Sequence, residues 1–355
     1  MRVGLVVHGS LESSTGGYLY DRQLVEFLRA QGDTVEVISL PDRGYLRNLA
    51  RRHLPEVECD VLLEDELCHP ALAFRKRRPA EPPVVALVHL LRSEEHRRSA
   101  LHPLYSAVER RYLTDVDATV FNSATTRASG ERLVGRPVPS VVARPAADHL
   151  AGPSVPSIDV HTGPLRVLCL ANVLPNKGVL PLVEAFGGLP HGTWRLTVAG
   201  SLTTDPAYVH RVRERIDRRR VRRAVDLIGA VPSSDVANLL ASHHAVAVPS
   251  SYEAAGIAYL EAMRTGRPVI ATAAGGAHEL LDDGVEGFLV PPGEVDVLRD
   301  RLARWAGDRM LLARMGEAAR RRAEAHPTWS QTLRPVRELL ASLVEARRLP
   351  APREA

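Results

Sequence analysis

The chain reads as an α/β protein made of two units, each built on a parallel sheet. Three observations predict this. Short apolar runs at 3–7, 84–88 and 245–248 stop abruptly at His, Pro or Ser, as strands buried on both faces do. Several such runs feed a polar loop and then a stretch whose apolar residues recur at helical spacing, the grammar of βαβ units. The grammar also restarts: residues 149–164 hold three prolines and two glycines without periodicity, and 165–171 begin a second series. A length of 355 residues suits two domains of roughly 150 to 190 residues. The expected boundaries are 1–150 for the first unit, 151–164 for a linker and 165–328 for the second unit, with a closing helix, 329–348, returning to the first.

Bulk properties narrow the class. A chain with 45% hydrophobic and 25% charged residues is an ordinary globular one. The 46 basic residues are offset by 42 acidic ones, leaving +4, so no nucleic-acid surface is demanded. Lysine occurs only at Lys76 and Lys177, the other 44 bases being arginine (46 − 2), which makes each lysine informative. Cys59, Cys68 and Cys169 lack metal-ligand spacing and read as reduced thiols of a cytoplasmic protein. Gly9 and Ser10 break the first apolar run too early for a signal peptide, and no apolar run reaches the ~18 residues of a membrane span.

In the first unit, 3–7 predicts a strand, 18–31 a helix with Leu24, Val25, Phe27 and Leu28 as its apolar stripe, and 34–40 the returning strand. The loop between the first two carries Gly16 and Gly17, a pair that lets backbone approach a phosphate or sugar closely. It is not Gly-x-Gly-x-x-Gly, which counts against a dehydrogenase. The next strand, 61–63, ends in Glu64-Asp65-Glu66. Three acids at a strand's carboxyl end suit acceptor hydroxyls or a proton; a metal-binding pair and a plain solvated loop are the competing readings. The strand 84–88 ends at His89, and 116–121 ends at Asn122-Ser123 before a helix. The basic stretch 43–54, with Tyr45, Leu46, Leu49 and Leu54 among arginines, is read as a solvated amphipathic helix, with peripheral contact to an anionic membrane as the alternative.

In the second unit, Asn172 follows the first strand, and Lys177-Gly178 stands at the mouth of a helix beginning near Leu180. A cation there suits a departing diphosphate. The strand 193–199 ends in Gly200-Ser201, and 224–231 closes at Val231 before a helix capped near Ser233. The densest segment runs 246–263, Val-Ala-Val-Pro-Ser-Ser-Tyr-Glu-Ala-Ala-Gly-Ile-Ala-Tyr-Leu-Glu-Ala-Met. It packs a strand, a loop with Glu253, and a helix start at Gly256 and Ile257 whose N–H groups await an anion. Glu261 sits about 7 Å further along that helix axis, in an apolar setting that makes an unpaired charge costly. After it come Gly275-Gly276, then 284–293, and an Arg-rich helical tail in which Glu317 and Glu324 interleave Arg320–Arg322; the tail reads as a solvated face.

The segment 246–268 resembles the retaining nucleotide-sugar glycosyltransferases of family 4. There Pro-Ser is followed by a Glu, a small residue, an aromatic and Gly, then by a second Glu eight positions after the first and Ala-Met-Ala-x-Gly-x-Pro. The resemblance implies the GT-B fold, two Rossmann-like domains facing across a cleft, and a nucleotide diphosphate sugar, UDP-sugar favoured, as co-substrate. No further cofactor and no obligatory metal are expected. It implies that Glu261 holds the ribose hydroxyls, that Glu253 meets the donor sugar and that Lys177 clamps the diphosphate. Gly16 and Gly17 then border that diphosphate, Gly200 the nucleotide, the backbone near Val231 the base, and His89 the reacting centre. Two residues depart from the pattern. Ala255 stands where the family has an aromatic, and Ala171-Asn172 replaces Gly-Arg, removing one cation.

The expected catalytic set is therefore His89, Lys177 and Glu253. The donor set is Gly16, Gly17, Asn172, Lys177, Gly200, Val231, Glu253, Ala255, Gly256, Ile257 and Glu261, and the acceptor set Tyr18, Asp65, Glu66 and His89. The expected activity is sugar transfer to a small-molecule or lipid acceptor, with oligomeric state left open. A nucleotide-sugar epimerase or hydrolase of the same fold, and a non-enzymatic sugar-nucleotide sensor, remain the alternatives.

Overall fold

The computed structural model describes every residue except 13–14, 42, 51–53, 55–56, 79, 98, 151–158, 160–161 and 349–355. The chain divides into two compact units, Met1–Pro145 with Pro327–Ala355, and Ala146–His326. Most of the expected linker, 151–164, and part of the basic stretch 43–54 lie outside the described residues; within the latter the helix covers only Tyr45–Asn48. His149 and Leu150, expected in the first unit, group with the second.

The first unit carries six strands, β1 (Arg2–His8), β2 (Thr34–Leu40), β3 (Val61–Asp65), β4 (Val84–Val88), β5 (Ala118–Phe121) and β6 (Ser140–Val142). They pair in the order β2-β1-β3-β4-β5-β6, all parallel. β3 and β4 are buried at every position, which is why they read as unbroken apolar runs. β6 was not expected: its three residues are half-buried at the sheet edge, too short and too even to show a period.

Thr15 caps the helix Gly16–Ala30, and Tyr20, Asp21, Leu24, Val25 and Leu28 form its buried face. The helix Trp329–Arg348 packs on that helix and on β3 and β6, burying Trp329, Thr332, Leu333, Val336, Leu340 and Val344. Its Arg337 meets Asp33 at 2.7 Å, and the amino terminus meets the same carboxylate at 2.9 Å. The two cations hold Asp33 below the usual carboxylate range against the opposing effect of burial.

The second unit carries β7 (Leu165–Leu170), β8 (Trp194–Ala199), β9 (Val225–Gly229), β10 (Ala245–Val248), β11 (Val269–Thr272) and β12 (Gly287–Val290). The order is β12-β11-β10-β7-β8-β9, again all parallel. Trp194 and Phe186 stack near the centre of its core, with ring centroids 4.6 Å apart. Strand order reverses between β7 and β10, the switch point where loops leaving the carboxyl ends part and open a crevice. In the first sheet the same reversal falls between β1 and β3. The Arg-rich tail behaves as expected: Arg320 pairs with Glu317 at 2.8 Å and with Glu324 on the helix Arg309–Glu324.

Candidate functional site

The loops after β7 and β10 meet at the switch point of the second sheet. Ser251 N–H donates to Asn176 O at 2.7 Å, tying them together. Gly178 turns at φ +71°, and a Cβ there would lie 2.1 Å from Pro249 O, so only glycine lets the two loops close. The closure brings Lys177 Nζ to 2.9 Å from Glu253 Oε2, and Ser250 Oγ donates to the same oxygen at 3.4 Å. Both side chains keep partial exposure, 28% and 19%, so they remain open to a ligand.

Glu253 is fixed by its backbone as well. Its N–H donates to Ala274 O at 3.1 Å, and its carbonyl accepts from Gly276 N–H at 2.8 Å. Gly275 makes this possible: at φ +94° its missing Cβ would fall 2.1 Å from Glu253 O. The glycine pair noted in the sequence thus serves to seat Glu253.

Gly256 caps the helix Ile257–Arg264 in the left-handed region at φ +67°. Tyr259 and Leu260 N–H groups reach Gly256 O, whereas the first N–H groups of a helix have no partner within it. Glu261, on the same helix, is 7% exposed and lies 3.0 Å from His149 Nε2. His149 was expected in the first unit beside the linker; instead it holds the carboxylate assigned to ribose. Ala255 is buried, and Val231 packs half-buried against the core. Asn172 Oδ1 accepts from Ser201 N–H at 2.8 Å, so this residue, standing where the family has Arg, ties two crevice loops together. Gly200 permits the same approach, since a Cβ there would lie 2.1 Å from Ala171 O.

In the first unit, His89 leaves β4 with its Nε2 at 2.8 Å from Asp21 Oδ1. Gly17 stands beside it: a Cβ there would meet the His89 ring at 3.4 Å, an ordinary van der Waals contact. Asp65 closes the group: its Oδ1 accepts Leu67 N–H at 2.9 Å, and ligand atoms of Asp21, Asp65 and His89 lie within 4.8 Å of one another. The second carboxyl oxygens of Asp21 and Asp65 are buried without a hydrogen-bond partner among the described residues. Burial alone would lower the His89 pKa, but the charge and hydrogen bond of Asp21, with Asp65 and Glu66, raise it to about 9. Burial, then the charge of Asp21, raises Asp65 to about 7. His89 is accordingly an imidazolium near neutral pH.

The acid triplet at 64–66 splits. Glu64 pairs with Arg75 at 3.0 Å, away from His89. Glu66 joins a second buried group with His69 and Glu109, where burial raises both carboxyls to about 8. All three acids are 1% exposed, so the solvated-loop reading is corrected: β3 extends through Asp65 and takes the acids into the core with it. Tyr18 donates its hydroxyl to His8 O at 2.5 Å.

Each buried group places three ligand atoms within 4.8 Å of one another. The first carries the His89 proton between its carboxylates. In the second, His69 Nδ1 lies 2.8 Å from Glu66 O and Nε2 lies 3.1 Å from Tyr45 OH. Asp21 and His149 were missed by sequence reasoning. Asp21 did carry a signal, since it falls on the apolar spacing of 21, 24, 25 and 28.

The pattern of the glycosyl transferases group 1 matches residues 156–322, the span that carries Lys177, Glu253 and Glu261. Just under half of the chain thus carries the group 1 glycosyltransferase pattern. The chain is 26% identical over 293 residues to a glycogen synthase of Mycobacterium tuberculosis, covering 81% of this chain and 69% of the relative. It is 40% identical over 89 residues to a D-inositol 3-phosphate glycosyltransferase of Kribbella flavida, covering 25% and 21%. Among solved structures it resembles sucrose-phosphate synthase from Thermosynechococcus elongatus at TM-score 0.80, with 20% identity over 97% of this chain and 99% of the other. It resembles Anabaena HepE, solved in complex with UDP and glucose, at TM-score 0.76, with 22% identity over 96% and 100%. The fold of the chain is GT-B, two parallel-sheet α/β units of six strands each. Among the described residues no helix is long and apolar enough to cross a membrane.

Proposed function

We propose that this enzyme transfers a sugar from a nucleotide diphosphate sugar, in the first instance a UDP-sugar, to a hydroxyl of a small-molecule or lipid acceptor, with retained anomeric configuration. The observation that carries the reading is the pairing of Lys177 with Glu253 at 2.9 Å on the two loops of the switch point. In this reading the pair opens when donor binds: Lys177 turns to the diphosphate and Glu253 to the sugar. Glu261 accepts the ribose hydroxyls, and the first-turn N–H groups of Ile257 and Ala258 face the phosphates. A leaving diphosphate gains negative charge as its bond to the sugar breaks, so a preformed cation and helix amides favour the transition state over the ground state. The acceptor attacks from the face the diphosphate is leaving, and a diphosphate oxygen takes the acceptor's proton.

In the first unit His89 and Asp65, with Tyr18 and Glu66, are assigned to the acceptor. As a cation, His89 donates a hydrogen bond and is not the base. No metal takes part in this scheme. The HepE complex, which holds UDP and glucose, supports the choice of donor class, and the free thiols of Cys59, Cys68 and Cys169 agree with a cytoplasmic setting.

The test begins with UDP-, GDP- and ADP-sugars screened for thermal stabilisation, because a ligand that binds only the folded state raises its melting point. With the donor in hand, Lys177→Ala is expected to lower kcat by roughly 10²–10³. Full turnover in both Lys177→Ala and Glu253→Ala with the true acceptor overturns the proposal.

A further inference from the structure

Five basic side chains gather at the amino-terminal edge of the second sheet. Arg166 lies second in β7, His243 and His244 precede β10, Arg267 precedes β11, and Arg309 opens the helix Arg309–Glu324. The register sets Ala245 beside Val167, and His244 N–H donates to Arg166 O at 2.8 Å. All strands run the same way, so this edge is the one opposite Lys177 and Glu253, about 20 Å away along β7.

Two of the five are satisfied. His243 reaches Leu239 O at 2.7 Å and Thr197 Oγ1 at 2.8 Å. Arg267 donates to Leu240 O at 3.0 Å and Ala241 O at 3.3 Å, closing the helix Ser233–Ala241. Of the other three, Arg309 donates through Nη2 to Gly163 O at 3.0 Å, and the contacts around His244 Nε2 are between donors.

His244 is 1% exposed, and its Nδ1 accepts the Arg166 backbone N–H at 3.0 Å. The proton of the neutral ring therefore sits on Nε2. That N–H faces Arg166 Nη2, a second donor, at 3.3 Å, and Arg309 Nη1 stands 3.5 Å from Nδ1. Two donors cannot satisfy each other, so this contact lacks an acceptor. Every charged neighbour that shifts these groups is basic. Burial, then Arg166, Arg309, Arg267 and His243, lowers His244 to about 4. Burial, then Arg166, lowers Arg267 to about 10 and also lowers Arg309.

We propose that Arg166, Arg309 and the Nε2–H of His244 form an anion site for a phosphate group, free or carried as a phosphate monoester, on the sheet edge opposite the sugar-transfer residues. A phosphate dianion brings several acceptor oxygens to two guanidinium forks and one imidazole N–H, and it removes the repulsion between the cations. A carboxylate offers half that charge and fewer oxygens. The site is independent of the donor reading above, since it uses none of the same residues.

The test follows the melting temperature with inorganic phosphate, against sodium chloride of equal ionic strength. The parent and Lys177→Ala, which lacks the proposed diphosphate cation, are expected to gain the same stabilisation, while Arg166→Gln/Arg309→Gln gains none. Without phosphate the double variant is expected to melt no lower than the parent, because like charges have been removed. Should it melt lower, Arg166→Gln alone, altering an exposed side chain, must still reduce the phosphate shift. A parallel arm with glycerol 3-phosphate separates the sources: a larger shift points to a monoester, an equal or smaller one to free phosphate. An equal shift in parent and double variant, loss of the shift in Lys177→Ala, or no shift in the parent at millimolar phosphate overturns the proposal.

Discussion

Replacing Gly275 with alanine is expected to separate activity from stability in this enzyme. Gly275 adopts φ 94° and ψ −147°, a region open almost only to glycine, where a side chain costs on the order of 1–3 kcal/mol. The added Cβ would also fall 2.1 Å from the carbonyl oxygen of Glu253. Ordinary carbon–oxygen contact needs about 3.3 Å, so one of the two backbones must retreat by about 1 Å. The carbonyl that retreats belongs to the residue whose carboxylate meets Lys177, and a misplacement of that size costs roughly 10²-fold in rate. Gly284→Ala is the control: its φ is +85° and nothing lies within 4 Å of its Cβ, so only conformational strain of ~1–2 kcal/mol remains. Both variants should melt lower, by roughly 2–4 °C per kcal/mol. Only Gly275→Ala should lose about 10²-fold in kcat/KM, a factor equivalent to ~2.7 kcal/mol. Equal kcat/KM losses in the two variants, or a Gly275→Ala enzyme with unchanged kcat/KM, would refute the argument that this glycine seats Glu253.

Other outcomes follow from the same geometry. The His89 ring should titrate by NMR near pH 9 in the parent, as its contacts with Asp21 and Asp65 require. Its folded pKa is raised above the unfolded value, so its share of stability is complete below about pH 6.5 and disappears as pH rises through about 9. Asp21→Asn should move the titration towards the acid side, and an unmoved midpoint would remove Asp21 from the role. His149→Ala should raise the donor KM by up to ~10-fold with kcat nearly unchanged, because Glu261 loses the partner that orients it. His149→Gln, which keeps a donor near Nε2, should recover part of that affinity; a KM unaffected by either change would make the 3.0 Å contact incidental.

The sequence by itself determined most of the strands, the edge strand β6 excepted, and the second-unit loops. β4 and β10 are each buried at every position, so their apolar runs needed no partner to be recognised, and the spacing of Glu253, Gly256 and Glu261 survives as local helix geometry. Tertiary structure alone decided which groups meet. Lys177 and Glu253 are 76 residues apart, His149 and Glu261 112, and Asp21 and His89 68, and each pair forms only when the sheets and the helices packed on them are assembled. The acids at 64–66 show the limit most clearly. Their order along the chain suggested one polar cluster, but alternation along β3 and the turn that follows sends Glu64 to Arg75, Asp65 to His89 and Asp21, and Glu66 to Glu109 and His69. The cations at the opposite sheet edge were equally unreadable, because Arg166, His244 and Arg309 become neighbours only through the pairing of β7 with β10 and the placement of the first residue of the helix Arg309–Glu324.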